Sequence, residues 1–520
     1  MAPASRPPVR SKSRSRMRTD QAENALVSAP SRPTKIWGTG RWPALPLAML
    51  LSAWLAGCSG LDHLSPTVQS NEPSKQADVP PDAQREHQRI LAAYGGAYDD
   101  PRLETAIGQT VDRLVAASER PDMRYRVTIL NSSAVNAFAL PSGQLYVTRG
   151  LIALANDTSE LASVLSHEMA HVIARHAAIR EDQARRVALV DSVVNQVLSD
   201  PQTGALALAK SKIALASFSR SQEFEADGIG VAISARAGFD PYGAERFLTS
   251  MGRNIELKSS GASANDPHLL DFLSSHPGTP DRVKNAVTSA RQYSAPGAGQ
   301  RDKAEYLAGI DGLVFGDDPS EGFVRGRRYL HPKLGLTFMA PEGFVLDNTA
   351  EAILGIKEGG GQALRLDVVK VPVEQTLAAY LASGWMENVD KSSVENVTIS
   401  GFPAATATAK GEQWTFRLYA VRFGSEVYRF IFATKQKTAQ TERAFRESIA
   451  SFRRMTLAEI AAAKPLHIKV ITVTPSDTPE RLASRMAAVE RPLERFRVLN
   501  GLSASQSLKP GDQVKIVVEE

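Results

Sequence analysis

The chain has 520 residues, with 61 Lys and Arg against 56 Asp and Glu and a single Cys. Nine of the cations and two of the acids lie between Met1 and Arg41, which leaves a formal charge of about −2 on the rest and argues against a nucleic-acid-binding surface. A hydrophobic content of 43% with 22% charged residues excludes wholesale disorder and a polytopic membrane protein, and one Cys excludes a disulfide framework.

In chain order, the basic stretch runs into fourteen uncharged, mostly apolar residues, 44–57, directly before Cys58. A helix that spans a bilayer needs about 20 residues, so this run fits the apolar core of a secretory signal. Leu55-Ala56-Gly57-Cys58 resembles the bacterial lipobox. The resemblance implies that residues 1–57 are a lipoprotein signal peptide and that Cys58 carries the lipid. Ser59 after it implies the outer membrane, facing the periplasm; Met17 is an alternative start. Residues 58–85, rich in Pro, Ser, Gln and Asp, read as a flexible tether.

Leu103, Ile107, Val111, Leu114 and Val115 then recur at helical spacing. Residues 125–130 and 144–148 read as strands, and helices are expected over about 158–180, 182–198 and 205–237. The Pro- and Gly-containing segment 293–299 marks a domain boundary. Beyond it an α+β domain is expected over 305–458, with a hairpin turning at Gly424-Ser425-Glu426 and a helix from Thr438 to Phe452. His331 is alone there and reads as structural. Residues 467–520 read strand, helix, helix, strand. Thr474-Pro-Ser-Asp-Thr478, Leu499-Asn-Gly-Leu502 and the run Leu508 to Ile516 resemble a LysM domain, which implies affinity for peptidoglycan or another aminosugar polymer. Ser476 stands where such modules usually carry Gly.

The chemistry concentrates in His167-Glu168-Met169-Ala170-His171 within an apolar helical run. Residues four apart on a helix differ by about 40° around the axis and about 6 Å along it, so both imidazoles can reach one zinc ion. Glu168 flanks that ion and can take a proton from the attacking water and pass it to the leaving amine. The metzincin extension is excluded, because Ala174 and Ala177 occupy its Gly and His positions. His176, five residues after His171, is about 140° around a continuous helix and reads as a structural or surface residue. A further ligand is expected in residues 219–227, where Glu223 and Asp227 share a helix face and Glu225 turns about 200° from Glu223. Asp227 suits a hydrogen bond from the second ring nitrogen of a ligating His.

With Ser219-Arg-Ser-Gln-Glu-Phe-Glu-Ala-Asp227 downstream of the His-Glu-x-x-His motif, residues 85–292 resemble the gluzincin metallopeptidases of the HtpX and CAAX prenyl protease family. The soluble periplasmic branch that enhances outer-membrane β-barrel assembly is the nearest likeness. The resemblance implies a mainly helical zincin-type domain over residues 86–292 with a small edge sheet, and an α+β multidomain chain overall. It implies one Zn²⁺ per chain held by His167, His171 and Glu223. Residues 136–143 resemble the family's edge strand, where an extended substrate adds by backbone hydrogen bonds, with Asn136, Phe138 and Ala139 as contacts. His276-Pro-Gly-Thr-Pro-Asp-Arg282 resembles its H-P-x-x-x-x-R, with His276 a transition-state stabiliser or gate and Arg282 its support. His268 has no such match. Two departures stand out: no apolar span follows Cys58, and the helical repeats of roughly 34 residues found in periplasmic members are absent.

Three functions follow as expectations: a lipid-anchored zinc endopeptidase acting on misfolded or stalled envelope proteins, a metallopeptidase of peptidoglycan cross-bridges, and a non-enzymatic envelope scaffold or chaperone. The segment from Met251 to Leu273, Gly/Ser-rich over 259–265, is expected to act as a lid.

Overall fold

The computed structural model describes residues 81–182, 218–259, 276 and 280–520, apart from 351, 385, 387, 488 and 490, all within one compact unit, Gln76–Glu520. The expected signal peptide, Cys58, nearly all of the tether, the helix over 182–198 but for residue 182, residues 260–273 of the expected lid and His268 lie outside the described residues.

Helix α1 (Pro81–Ala93) precedes α2 (Pro101–Ala116), whose first backbone N–H groups are capped by the Asp100 carboxylate. The α2 residues buried are the periodic set Leu103, Ile107, Val111, Leu114 and Val115, as the spacing predicts. Strand β1 (Arg126–Leu130) pairs in parallel with β3 (Gln144–Thr148), and β2 (Ala137–Ala139) pairs antiparallel with β3, giving the order β1-β3-β2 with β2 at the edge. Helix α3 (Arg149–Leu154) leads into α4 (Thr158–Ile173), which Asp157 caps by accepting from the Glu160 N–H. Residues 159–171 are buried on every face, so α4 is the central helix of the domain.

Around α4 pack α5 (Arg220–Arg236), begun by a Ser219/Gln222 capping box, then α6 (Gly243–Ser259) and α7 (Pro280–Ala290). Helices α4 and α5 meet at Gly230, where an added Cβ would lie 2.9 Å from the backbone nitrogen of His167. Only a residue without a Cβ allows that approach. The helix expected over 158–180 is broken: α4 ends at Ile173, Arg175 takes φ +57°, and a new helical turn begins at His176. A left-handed residue cannot continue a right-handed helix.

Residues 344–434 hold all the strands of a seven-stranded antiparallel sheet, and a four-stranded sheet is built from residues 323–339 and 453–454. The expected hairpin is present, with Phe423 opposite Glu426 and Gly424 at φ +65°. The helix after it, Ala439–Ala450, is capped by Thr438. His331 is buried there, and burial and Lys333 lower its pKa to about 4. This domain has cores of its own.

The last segment has the expected strand, helix, helix, strand order, Leu466–Thr472 pairing antiparallel with Gln513–Glu519 around two short helices. It does not bury its apolar face alone. Leu466, Ile468, Phe496 and Ile516 belong to one buried cluster with Leu114, Leu154, Leu165 and Met251 of the helical domain. Tyr306 and Leu307, on the helix Lys303–Ile310, join that cluster too. Lys515, wholly buried, donates from Nζ to the carbonyls of Ala153, Leu154 and Ala155 at 2.7, 3.3 and 2.6 Å. The helical domain expected to close at residue 292 is therefore completed by residues 303–313 and 466–517. Among the described residues, no helix is long and apolar enough to cross a membrane.

Candidate metal centre

His167 and His171 project from successive turns of α4 with their Nε2 atoms 3.0 Å apart. His167 Nδ1 lies 3.0 Å from Asp227 Oδ1, and His171 Nδ1 lies 2.9 Å from Nδ1 of His176. Burial lowers the pKa of both ligand imidazoles, so each is neutral. A neutral ring that donates through Nδ1 carries a lone pair on Nε2. Two such lone pairs facing each other repel unless a cation lies between them.

The carboxylate of Glu223, from the first turn of α5, completes the cluster. Its oxygens stand 3.6 Å from both Nε2 atoms, and Oε1 is 3.0 Å from His276 Nδ1, itself 3.3 Å from His167 Nε2. Donors about 2.0–2.1 Å from a tetrahedral zinc are separated by about 3.3 Å, so spacings of 3.0–3.6 Å fit that ion. His167, His171, Glu223 and His276 are all buried, with their donor atoms within 4.8 Å of one another. The structure thus brings His276 into the donor set itself. Burial and the nearby Arg282 lower its pKa to about 3, so it too presents an uncharged ring.

Glu168 lies beside the cluster, with Oε1 3.8 Å from His276 Nε2. Burial, and then the charge of Glu223, raise its pKa well above the usual carboxylate range, opposed in part by Arg282 and by the backbone of Ala139. Burial also raises Asp227, but hydrogen bonds from Arg282 and His167 more than offset this and hold it at about 2. Arg282 grips Asp227 through Nε and Nη2 at 2.8 and 2.7 Å and places Nη1 2.7 Å from Glu223 and 3.4 Å from the His276 carbonyl. It therefore supports the two acids of α5 as well as His276.

The expected substrate contacts divide by register. The Asn136 carbonyl accepts from the Thr148 N–H and the Leu140 N–H donates to Gln144, so even-numbered residues turn their backbone into the sheet. Odd-numbered Ala137 and Ala139 face away from β3, and Ala139 reaches Glu168. Asn136 donates its side-chain amide to Tyr94, and the Phe138 ring stacks on Tyr146 with centroids 4.9 Å apart. Of the residues named from sequence, His167, Glu168, His171, Glu223, Asp227, His276 and Arg282 converge. Ala139 borders them, and Asn136 and Phe138 stand behind the edge.

Sequence reasoning missed His176, Glu225 and Phe218. The Phe218 ring lies 4.0 Å, centroid to centroid, from that of His171. His176 stays outside the donor set, as the spacing predicts, but it is buried against His171 and not at the surface, because the break at Arg175 folds it back.

Residues 101–290 match Peptidase family M48. A Vibrio cholerae protein described as a beta-barrel assembly-enhancing protease is 33% identical over 216 residues, 40% of this chain and 43% of that one. The beta-barrel assembly-enhancing protease of Escherichia coli K12 is 31% identical over 230 residues, 42% of this chain and 45% of that one. The mitochondrial metalloendopeptidase OMA1 of Schizosaccharomyces pombe is 28% identical over 207 residues, 39% of this chain and 58% of that one. The chain thus spans less than half the length of these bacterial relatives. The stretch that matches the family carries all four members of the donor set, His167, His171, Glu223 and His276.

Proposed function

We propose that this protein is a periplasmic zinc metalloendopeptidase, lipid-anchored through Cys58 to the inner face of the outer membrane, that hydrolyses misfolded or stalled envelope proteins. The observation that carries the reading is the convergence of the His167 and His171 Nε2 atoms, 3.0 Å apart, with the Glu223 carboxylate, beside the buried Glu168. His167, His171 and Glu223 would hold the ion, which when bound acidifies water and polarises a carbonyl. Glu168 serves as the base that takes the proton from the attacking water and returns it to the leaving amine. The Ala137 and Ala139 backbone pairs with an extended substrate, which restricts cleavage to unfolded or loop segments. His276, a fourth donor here, acts as the gate: while it occupies the donor set, no position is open for chemistry.

A second reading, cleavage of peptidoglycan cross-bridges, is favoured by the last segment, whose loops 474–478 and 503–512 are largely exposed although its apolar face is covered. Wild type and Glu168→Gln, zinc-loaded, should be compared on unfolded casein and on purified sacculi. Casein cleavage that the substitution abolishes supports the proposal. Release of muropeptides without casein cleavage would replace it with the second reading.

A further inference from the structure

His176 and Glu225 lie outside the donor set, yet they connect one of its ligands to the surface. His176 is 1% exposed, with its ring at 73° to that of His171 and its Nδ1 2.9 Å from His171 Nδ1. Its other nitrogen, Nε2, is 3.3 Å from Oε2 of Glu225, whose side chain is 60% exposed. The contact exists because the left-handed Arg175 ends the helix and brings the next residue under His171.

We propose that His176 and Glu225 are a positioning pair that fixes the tautomer and ring orientation of His171 for metal binding. Two nitrogens 2.9 Å apart need one proton between them. A proton on His171 Nε2 would point at His167 Nε2, 3.0 Å away, and block the ion. The consistent assignment has His171 Nδ1–H donating to His176 Nδ1 and His176 Nε2–H donating to the Glu225 carboxylate. Asp227 does the same for His167 directly. Each ligand imidazole therefore has its own acceptor, one a carboxylate and the other a carboxylate relayed through a second imidazole.

The inference rests on the reading of His171 as a metal ligand, and the test separates the two. Zinc affinity, measured by chelator competition, should fall about 10–100-fold in His176→Leu and by roughly threefold or more in Glu225→Ala. Glu225→Gln, whose amide oxygen still accepts from Nε2–H, should restore most of the loss. Thermal melting of the metal-free proteins checks that His176→Leu folds; Glu225→Ala alters an exposed residue and carries the test if it does not. Wild-type affinity in Glu225→Ala overturns the pairing. Stoichiometric zinc retained by His167→Ala would instead overturn the metal centre.

Discussion

Arg282 lies edge-on along Asp227, two nitrogens at 2.8 and 2.7 Å from its two oxygens, while the third stands 2.7 Å from Glu223. All three side chains are buried. Removing the cation leaves two acids without their shared counter-charge, which typically costs about 3–5 kcal/mol. Arg282→Leu should lower the urea midpoint of the metal-free protein accordingly. Arg282→Lys, which keeps the charge but not the planar fork, should fall between the two. An unchanged midpoint in Arg282→Leu would remove the pair from the account.

At Gly230 helix α5 lies directly against the backbone of α4. A Cβ there would meet His167 N at 2.9 Å and Cα at 3.1 Å. Neither helix can relieve this by moving a flexible side chain. Gly230→Ala should separate Glu223 from the imidazoles, weakening zinc binding at least tenfold and costing about 1–3 kcal/mol of stability. Calorimetric titration of zinc into the variant checks this; wild-type affinity would contradict it.

Residues 466–517 complete the core of the helical domain, so they should be required for it to fold. A chain truncated after residue 465 exposes Leu114, Leu154, Leu165 and Met251 to water and should lose the melting transition of the helical domain, keeping only that of the sheet domain with its own cores. Lys515→Met leaves three carbonyls, Ala153, Leu154 and Ala155, without their donor, a loss of about 2 kcal/mol or more in a denaturant melt. A truncated protein that melts like wild type would show the last segment to be an independent module.

Asp317 offers a pH-dependent test away from the metal centre. Burial raises its pKa to about 6, partly opposed by the N–H of Val324 at 2.7 Å. Because the folded value exceeds the unfolded one near 3.8, its contribution to stability is present below pH 3.8 and lost as pH rises through 6. Asp317→Asn, whose amide oxygen can still accept from Val324, should therefore be more stable than wild type at pH 7.5 by about 1–2 kcal/mol. The gain should vanish near pH 4. A gain that does not change between those pH values would contradict the burial argument.

The metal centre was largely legible in the sequence because its parts are local. His167, Glu168 and His171 lie within one helical turn and a residue, as do Glu223 and Asp227, and α4 and α5 are continuous helices over those residues. The same arithmetic kept His176 out of the donor set but hid its contact with His171, since it presumes a helix unbroken through Arg175, a residue whose type does not announce φ +57°. The edge strand was placed, but which backbone groups face Glu168 depends on the pairing of β2 with β3, and a shift of one residue exchanges them. The strands and helices of residues 466–519 were read correctly from their apolar pattern. That pattern marks a face to be buried and does not say what buries it, so the shared core with α2, α4 and α6 was invisible.

In the proposed zinc peptidase Glu168 moves the proton and His167, His171 and Glu223 hold the ion. Metal content and turnover of an unfolded protein, measured on the same preparations of wild type, Glu168→Gln and Glu223→Ala, test it most directly. Wild type and Glu168→Gln should each hold about one zinc per chain, with turnover in the latter reduced about 10²–10⁴-fold. Glu223→Ala should lose both zinc and turnover. Wild-type turnover by Glu168→Gln, or full zinc in Glu223→Ala, would contradict it.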